Sequence, residues 1–150
     1  MTTERHPYQV WDWGAQKKWD DFADKCGFYA FSKEQFDEGL EKFNATAEDV
    51  ALIGCGCFVL KKDMDEFHKM TKEIDEDFQK GLEDPAFVFD MFRYELANHE
   101  YCITCDYAET LDACGLTWEQ VKNNPMWMKE LHKATCDYLD AVEEWEAVAK

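Results

Sequence analysis

Met64, Phe67, Thr71, Ile74, Phe78 and Leu82 recur at intervals of three, four, three, four and four residues. Only an α-helix brings positions so spaced onto one face, so residues 61–82 read as a long amphipathic helix. Its outer face carries Asp63, Asp65, Glu66, Glu73, Asp75, Glu76 and Asp77, with Lys69, Lys72 and Lys80 between them. Asp84-Pro85 then reads as a restart, with Asp as N-cap and Pro at the first helical position. The helix it opens, from Pro85 to about Asn98, is apolar nearly all round: Phe87, Val88, Phe89, Met91, Phe92, Tyr94 and Leu96. Such a helix has to be enclosed by others. The chain is therefore expected to be mainly α (α+β), with about six helices around this buried central helix.

The remaining signals are local. Ser32 with Gln35 is a capping box that opens a helix to about Phe43, with Phe36, Leu40 and Phe43 inward. Thr117 with Gln120 is a second box, and Asp106 with Glu109 caps a short helix that Gly115 ends in the left-handed conformation. Asn124-Pro125 opens the last helix, whose stripe is Trp127, Leu131, Ala134, Tyr138, Val142 and Trp145, with Glu130 and Asp137 outward. A short helix is expected over Ala15–Lys25. Gly27–Phe31 and VALIGCGCFVL (50–60) suit strands, the second one bent at Gly54 and Gly56. Together they make a small β-ribbon of two or three strands. No repeat or linker breaks the chain, so a single domain, 1–150, is expected, with the aromatic segment 1–14 docked on it.

The 150 residues include 33 acidic and 16 basic side chains, a net charge of −17, against 46% hydrophobic residues. That apolar share is too high for a disordered acidic tail. The charge opposes direct binding to nucleic acid or to an anionic membrane. No apolar run approaches the length of a membrane span, and MTTERHPYQVWDW lacks the pattern of a secretion signal. The expected setting is the cytoplasm of a bacterial host cell. Seven cysteines, an odd number without an export signal, point to reduced and mostly buried thiols.

Chemistry-bearing patterns are sparse. His99-x2-Cys102-x2-Cys105, with Cys114 beyond, offers soft ligands for zinc, but a second CxxC is missing. A zinc-stabilised structural or regulatory module using His99, Cys102 and Cys105 is the alternative reading, and no cofactor or metal is expected on the preferred one. CITC has no thioredoxin-like setting, and the acids Glu100 and Asp106 flank it. Gly54-x-Gly56 lacks the rest of a phosphate-binding loop. Glu95 stands out as an acid inside an apolar helix, with Arg93, a lysine or His99 as its expected partner. Arg93 is expected to form a salt bridge. No nucleophile–base pair is apparent, so catalysis is not expected.

The acidic helix faces carry the sharper expectation. Carboxylates spread along helices imitate the charge spacing of a nucleic acid and can occupy a cationic channel on another protein. The expected contact residues are Asp65, Glu66, Glu73, Asp75, Glu76 and Asp77 on the helix over 61–82, and Asp137, Asp140, Glu143, Glu144 and Glu146 on the last helix.

Four stretches carry a resemblance: FYAFSKEQFDEGL (28–40), GCGCFVLKKD (54–63), ELANHEY (95–101) and CDYAETLDACGLTWEQV (105–121). Together they resemble a family of small, uncharacterised acidic proteins of phages and mobile elements of Gram-positive bacteria. Cys57, Cys105 and Cys114 depart from the glycine or small apolar residues of that pattern. The resemblance implies no active site. It implies a protein that binds and inhibits a host protein with a basic nucleic-acid channel, such as a defence nuclease, in the manner of an anti-CRISPR inhibitor. Oligomeric state is not legible in the sequence.

Overall fold

The computed structural model describes residues 6–149; Met1–Arg5 of the expected docked segment lie outside the described residues. The fold is mainly α with a small antiparallel sheet, as the sequence indicates. In chain order the elements are α1 (Pro7–Cys26), β1 (Gly27–Tyr29), α2 (Lys33–Lys42), β2 (Val50–Gly54), β3 (Cys57–Leu60), α3 (Met64–Gly81), α4 (Pro85–Asn98), α5 (Tyr101–Thr104), α6 (Ala108–Ala113), α7 (Trp118–Lys122) and α8 (Pro125–Ala149). Residues gather into two compact units. The first joins the chain up to Asp12 with everything from Phe78 onward, and the second is Trp13–Asp77.

The second unit is built on the sheet, ordered β1-β3-β2. Successive side chains of β3 point to opposite faces. Cys57 and Val59 join Phe22, Cys26, Phe67 and Met70 on one side, while Phe58 and Leu60 join Phe28, Val50, Phe36 and Phe43 on the other. A strand covered on both faces has to be apolar throughout, as CFVL is. Residues 50–60 are not one bent strand, however. They form a hairpin, β2 to β3, turned through Gly54, Cys55 and Gly56 at φ of 118°, 50° and 74°. Three successive positive φ values reverse the chain, and glycine makes two of them inexpensive.

The first unit is organised by α4. Val88, Met91, Phe92 and Leu96 are fully enclosed, mainly by α8, which contributes Leu131, Ala134 and Tyr138 to the same cluster. The caps behave as expected. Asp84 accepts from the Ala86 amide at 3.1 Å, Thr117 and Gln120 close a reciprocal box, and Gly115 takes φ 68°. Asp106 caps through the Ala108 amide at 2.9 Å, whereas Glu109 turns to His99, 3.7 Å away. The first helix starts at Pro7, eight residues before Ala15. Its first-turn amides need acceptors, and Asp90 of α4 supplies one, accepting from the Gln9 amide at 3.0 Å.

Candidate functional site

All eleven carboxylates expected to make contact are exposed: Asp65, Glu66, Glu73, Asp75, Glu76 and Asp77 on α3, and Asp137, Asp140, Glu143, Glu144 and Glu146 on α8. The two groups differ in what surrounds them. On α3 the cations Lys69, Lys72 and Lys80 are interleaved, and Lys72 lies 3.8 Å from Glu76. The α8 segment Ala134–Ala149 holds five acids and no Lys or Arg. Of those five, Asp137 accepts from Arg93 Nε at 2.8 Å, the salt bridge expected for Arg93. Asp140, Glu143 and Glu144 border a shallow surface groove with Ala147.

The end of α8 corrects one expectation. Trp145 continues the inward stripe of the helix by spacing, yet it is 70% exposed, and Val148 is 87% exposed. The reason is that the core stops first: Val142 is the last α8 side chain packed on the cluster. Helical spacing of 100° per residue puts Ala141, Trp145 and Val148 on the line of buried Tyr138. The result is an apolar stripe left uncovered by the described residues, with Glu144 and Glu146 on either side of it and Asp140 and Glu143 toward the opposite face of the helix. Near the other end of α8, Glu130 was expected outward and is instead buried, with Lys133 Nζ at 3.3 Å.

The zinc-type residues are not brought into one set. His99 is held between Glu95, at 3.2 Å, and Glu109, at 3.7 Å. Cys102 and Cys105 are exposed on the short α5 turn, while Cys114 is buried. Among the described residues, no group of three or more His, Cys, Asp or Glu side chains is placed to hold a metal ion. Of the seven thiols, Cys26, Cys57 and Cys114 are buried, and Cys55, Cys102, Cys105 and Cys136 are exposed.

Glu95 is buried, as its context suggested, and its partners are His99 and Tyr8 rather than Arg93. The Tyr8 hydroxyl donates to Glu95 Oε1 at 2.8 Å, and Asn98 adds a weaker contact. Burial, and next the bonded carboxylate, push the Tyr8 phenol far above its ordinary range. Burial does the same to the Cys114 thiol, with Glu95 adding to it. Asp12 is raised for the same two reasons. Sequence reasoning missed Asp90, which is only 4% exposed. It is held by the Gln9 amide, the Gln9 side chain and His6 Nδ1. Its partners lie about 80 residues away, so no local pattern announces it.

The fold and surface together define a small, mainly helical, strongly acidic protein whose last helix ends with an exposed Trp145 and Val148. The chain belongs to the DUF7659 family, a family of unknown function, whose model matches residues 15–137. No curated protein and no solved structure matches it. No helix among the described residues is long and apolar enough to cross a membrane.

Proposed function

We propose that this chain is a binding protein that docks the acid-bordered end of α8 onto a cationic surface of a partner protein. The observation that carries this is exposed Trp145 and Val148, with Glu144 and Glu146 beside them, in a helix segment whose five acids are accompanied by no Lys or Arg. Interfaces are anchored by a few desolvated aromatic side chains, while charge around them sets association rate and register. These acids also sit in the C-terminal turns of a helix, where aligned carbonyls already add negative potential. A cationic partner relieves that repulsion. The finer form of the proposal makes the partner a host defence nuclease whose nucleic-acid channel is occupied, in the manner of an anti-CRISPR inhibitor; it rests on charge and on the resemblance noted in the sequence.

The test is a binding screen of the full chain against such nucleases, followed by a salt titration. Replacing Glu143, Glu144 and Glu146 with Lys is expected to slow association and flatten the salt dependence. Trp145→Ala is expected to weaken binding by about tenfold or more, chiefly through faster dissociation. Binding that is indifferent to salt and to both changes overturns the proposal.

A further inference from the structure

A second feature of the first unit lies apart from the α8 stripe. Tyr101, Tyr107 and Trp118 form a ladder of near-parallel rings. The first two centroids are 4.7 Å apart with planes at 12°, and the next two are 6.1 Å apart at 9°. The ladder is pinned at its middle, where the Tyr107 hydroxyl meets Thr135 Oγ1 at 2.9 Å. Beside Tyr107 and Trp118 opens a cavity of about 430 Å³. Its apolar lining comes from Leu111 and Leu116, both buried, and Trp118 is 46% exposed. Asp106 and Asp112 also line it, and no basic residue does.

These walls select a chemistry. The face of an indole or phenol ring carries negative potential and attracts cations. Two carboxylates without a neighbouring cation in the lining add to the attraction. The apolar lining disfavours a strongly hydrated ammonium, while a guanidinium is planar, weakly hydrated, stacks on rings and pairs with carboxylates through two parallel donors. The size is that of a small-ligand pocket, ample for one side chain. We propose that this cavity is a receptor for an arginine side chain presented by a polypeptide, its guanidinium against Trp118 and within reach of Asp106 and Asp112. A chain-borne residue is favoured over free arginine because the rim acids repel the free amino acid's carboxylate.

The experiment is an amide and indole N–H NMR titration of the full chain with N-acetyl-arginine amide, N-acetyl-citrulline amide and free L-arginine. Citrulline matches arginine in shape without its charge. The arginine amide is expected to bind in the millimolar range and to shift the Trp118 indole and the Leu116 and Thr117 amides. Citrulline amide should be near silent, and free arginine weaker than its amide. Trp118→Ala should weaken the arginine amide by about fivefold or more. Asp112→Asn should weaken it with the fold intact, and Asp106→Asn keeps an acceptor for the Ala108 amide, so its effect reports charge rather than a lost cap. The proposal is overturned if citrulline amide binds equally, if free arginine binds as well as the amide, or if the shifts scatter over the acidic surface. Lysine replacement of Glu143, Glu144 and Glu146 should leave the titration unchanged, so failure here is separable from failure of the α8 docking site.

Discussion

Gly39→Ala sets two effects of known sign against each other. Gly39 lies inside α2, and by helix propensity alone alanine there stabilises by about 1 kcal/mol. The fold reverses that expectation. A Cβ on Gly39 would fall on the Phe28 ring, against Cδ2, Cε2 and Cγ, well inside 3.0 Å. Cγ is the root of the ring, so turning the ring about the Cβ–Cγ bond does not clear it. Nor is the ring free to leave. It stacks on Phe58 with centroids 5.5 Å apart and planes at 17°, and packs on Phe36 and Phe43. Overpacking a filled site costs about 1–3 kcal/mol, and a clash at the ring root belongs in the upper part of that range. The net is a loss of about 1–2 kcal/mol, or a few degrees of melting temperature for a chain of this size. Urea unfolding followed by circular dichroism measures it. In a Phe28→Ala background Cγ and the ring are both gone and the propensity gain should reappear, giving a coupling of about 1 kcal/mol or more between the two sites. If Gly39→Ala stabilises the parent protein, or the two changes add independently, the packing described for the α2–β1 contact is wrong.

Three further predictions rest on buried groups. A thiol reagent should label four cysteines rapidly in the native protein and seven after unfolding, since Cys26, Cys57 and Cys114 are buried; fast labelling of more than four would refute this. Glu95→Ala should cost about 2–4 kcal/mol, because it leaves the Tyr8 hydroxyl buried without its acceptor and opens a gap. Glu95→Gln keeps an acceptor and should cost distinctly less, and Tyr8→Phe in the Glu95→Ala background should recover part of the loss; equal costs for Ala and Gln would count against the hydrogen bond. Stability should decline in alkali. Tyr8 and Cys114 keep their protons in the folded state, with native pKa values raised from ordinary ones of 10.0 and 9.0. Once pH passes those ordinary values, the unfolded chain binds fewer protons than the native one, so unfolding free energy falls as pH rises. The contribution is complete below about pH 8 and is progressively lost above it. Urea midpoints across that range should fall less steeply in a Tyr8→Phe, Cys114→Ala double variant, and an unchanged slope would refute the assignment.

The parts of the fold that could be read directly are those whose cause lies within four residues. The Asp84 cap, the Thr117–Gln120 box and the left-handed Gly115 each join groups close in the chain, and the apolar intervals of α3 and α4 report their own periodicity. The hairpin reads as one strand in the sequence because VALIGCGCFVL is apolar on both sides of its turn. Both arms of the hairpin are apolar in sequence, so no polar residue marks the reversal, even though Leu52 of β2 ends up 61% exposed. Burial of Asp90 and Glu130 was hidden for a different reason. An acid is tolerated inside when partners meet it there, and those of Asp90 come from the distant first turn of α1. The N-terminal tryptophans divided in the same manner: Trp11 and Trp19 are half-buried, but Trp13 is 63% exposed. Composition cannot say which member of an aromatic run finds a neighbour.

Trp145 shows why the same sequence signal has two meanings. Residues at helical spacing announce a face that seeks cover, and the spacing is identical whether that cover comes from the chain's own core or from another molecule. The distinction is set by where the core ends. Along α8, Leu131, Ala134 and Tyr138 are covered from within, while Trp145 and Val148, on the same line, are not. Acidity alone discriminates poorly, because all eleven expected contact carboxylates are exposed and a solvated surface would expose them too. An apolar stripe running past the edge of the core into a segment with five acids and no cation is a more restrictive arrangement. Leaving a large indole in water forgoes roughly 1.5–3 kcal/mol of burial that a partner would supply. Glu144 and Glu146 beside it disfavour pairing with a second copy of the same helix, because like charges would be brought close together. On the proposed reading, a partner that covers Trp145 brings positive charge with it, and this links the exposed ring to the charge of its surroundings.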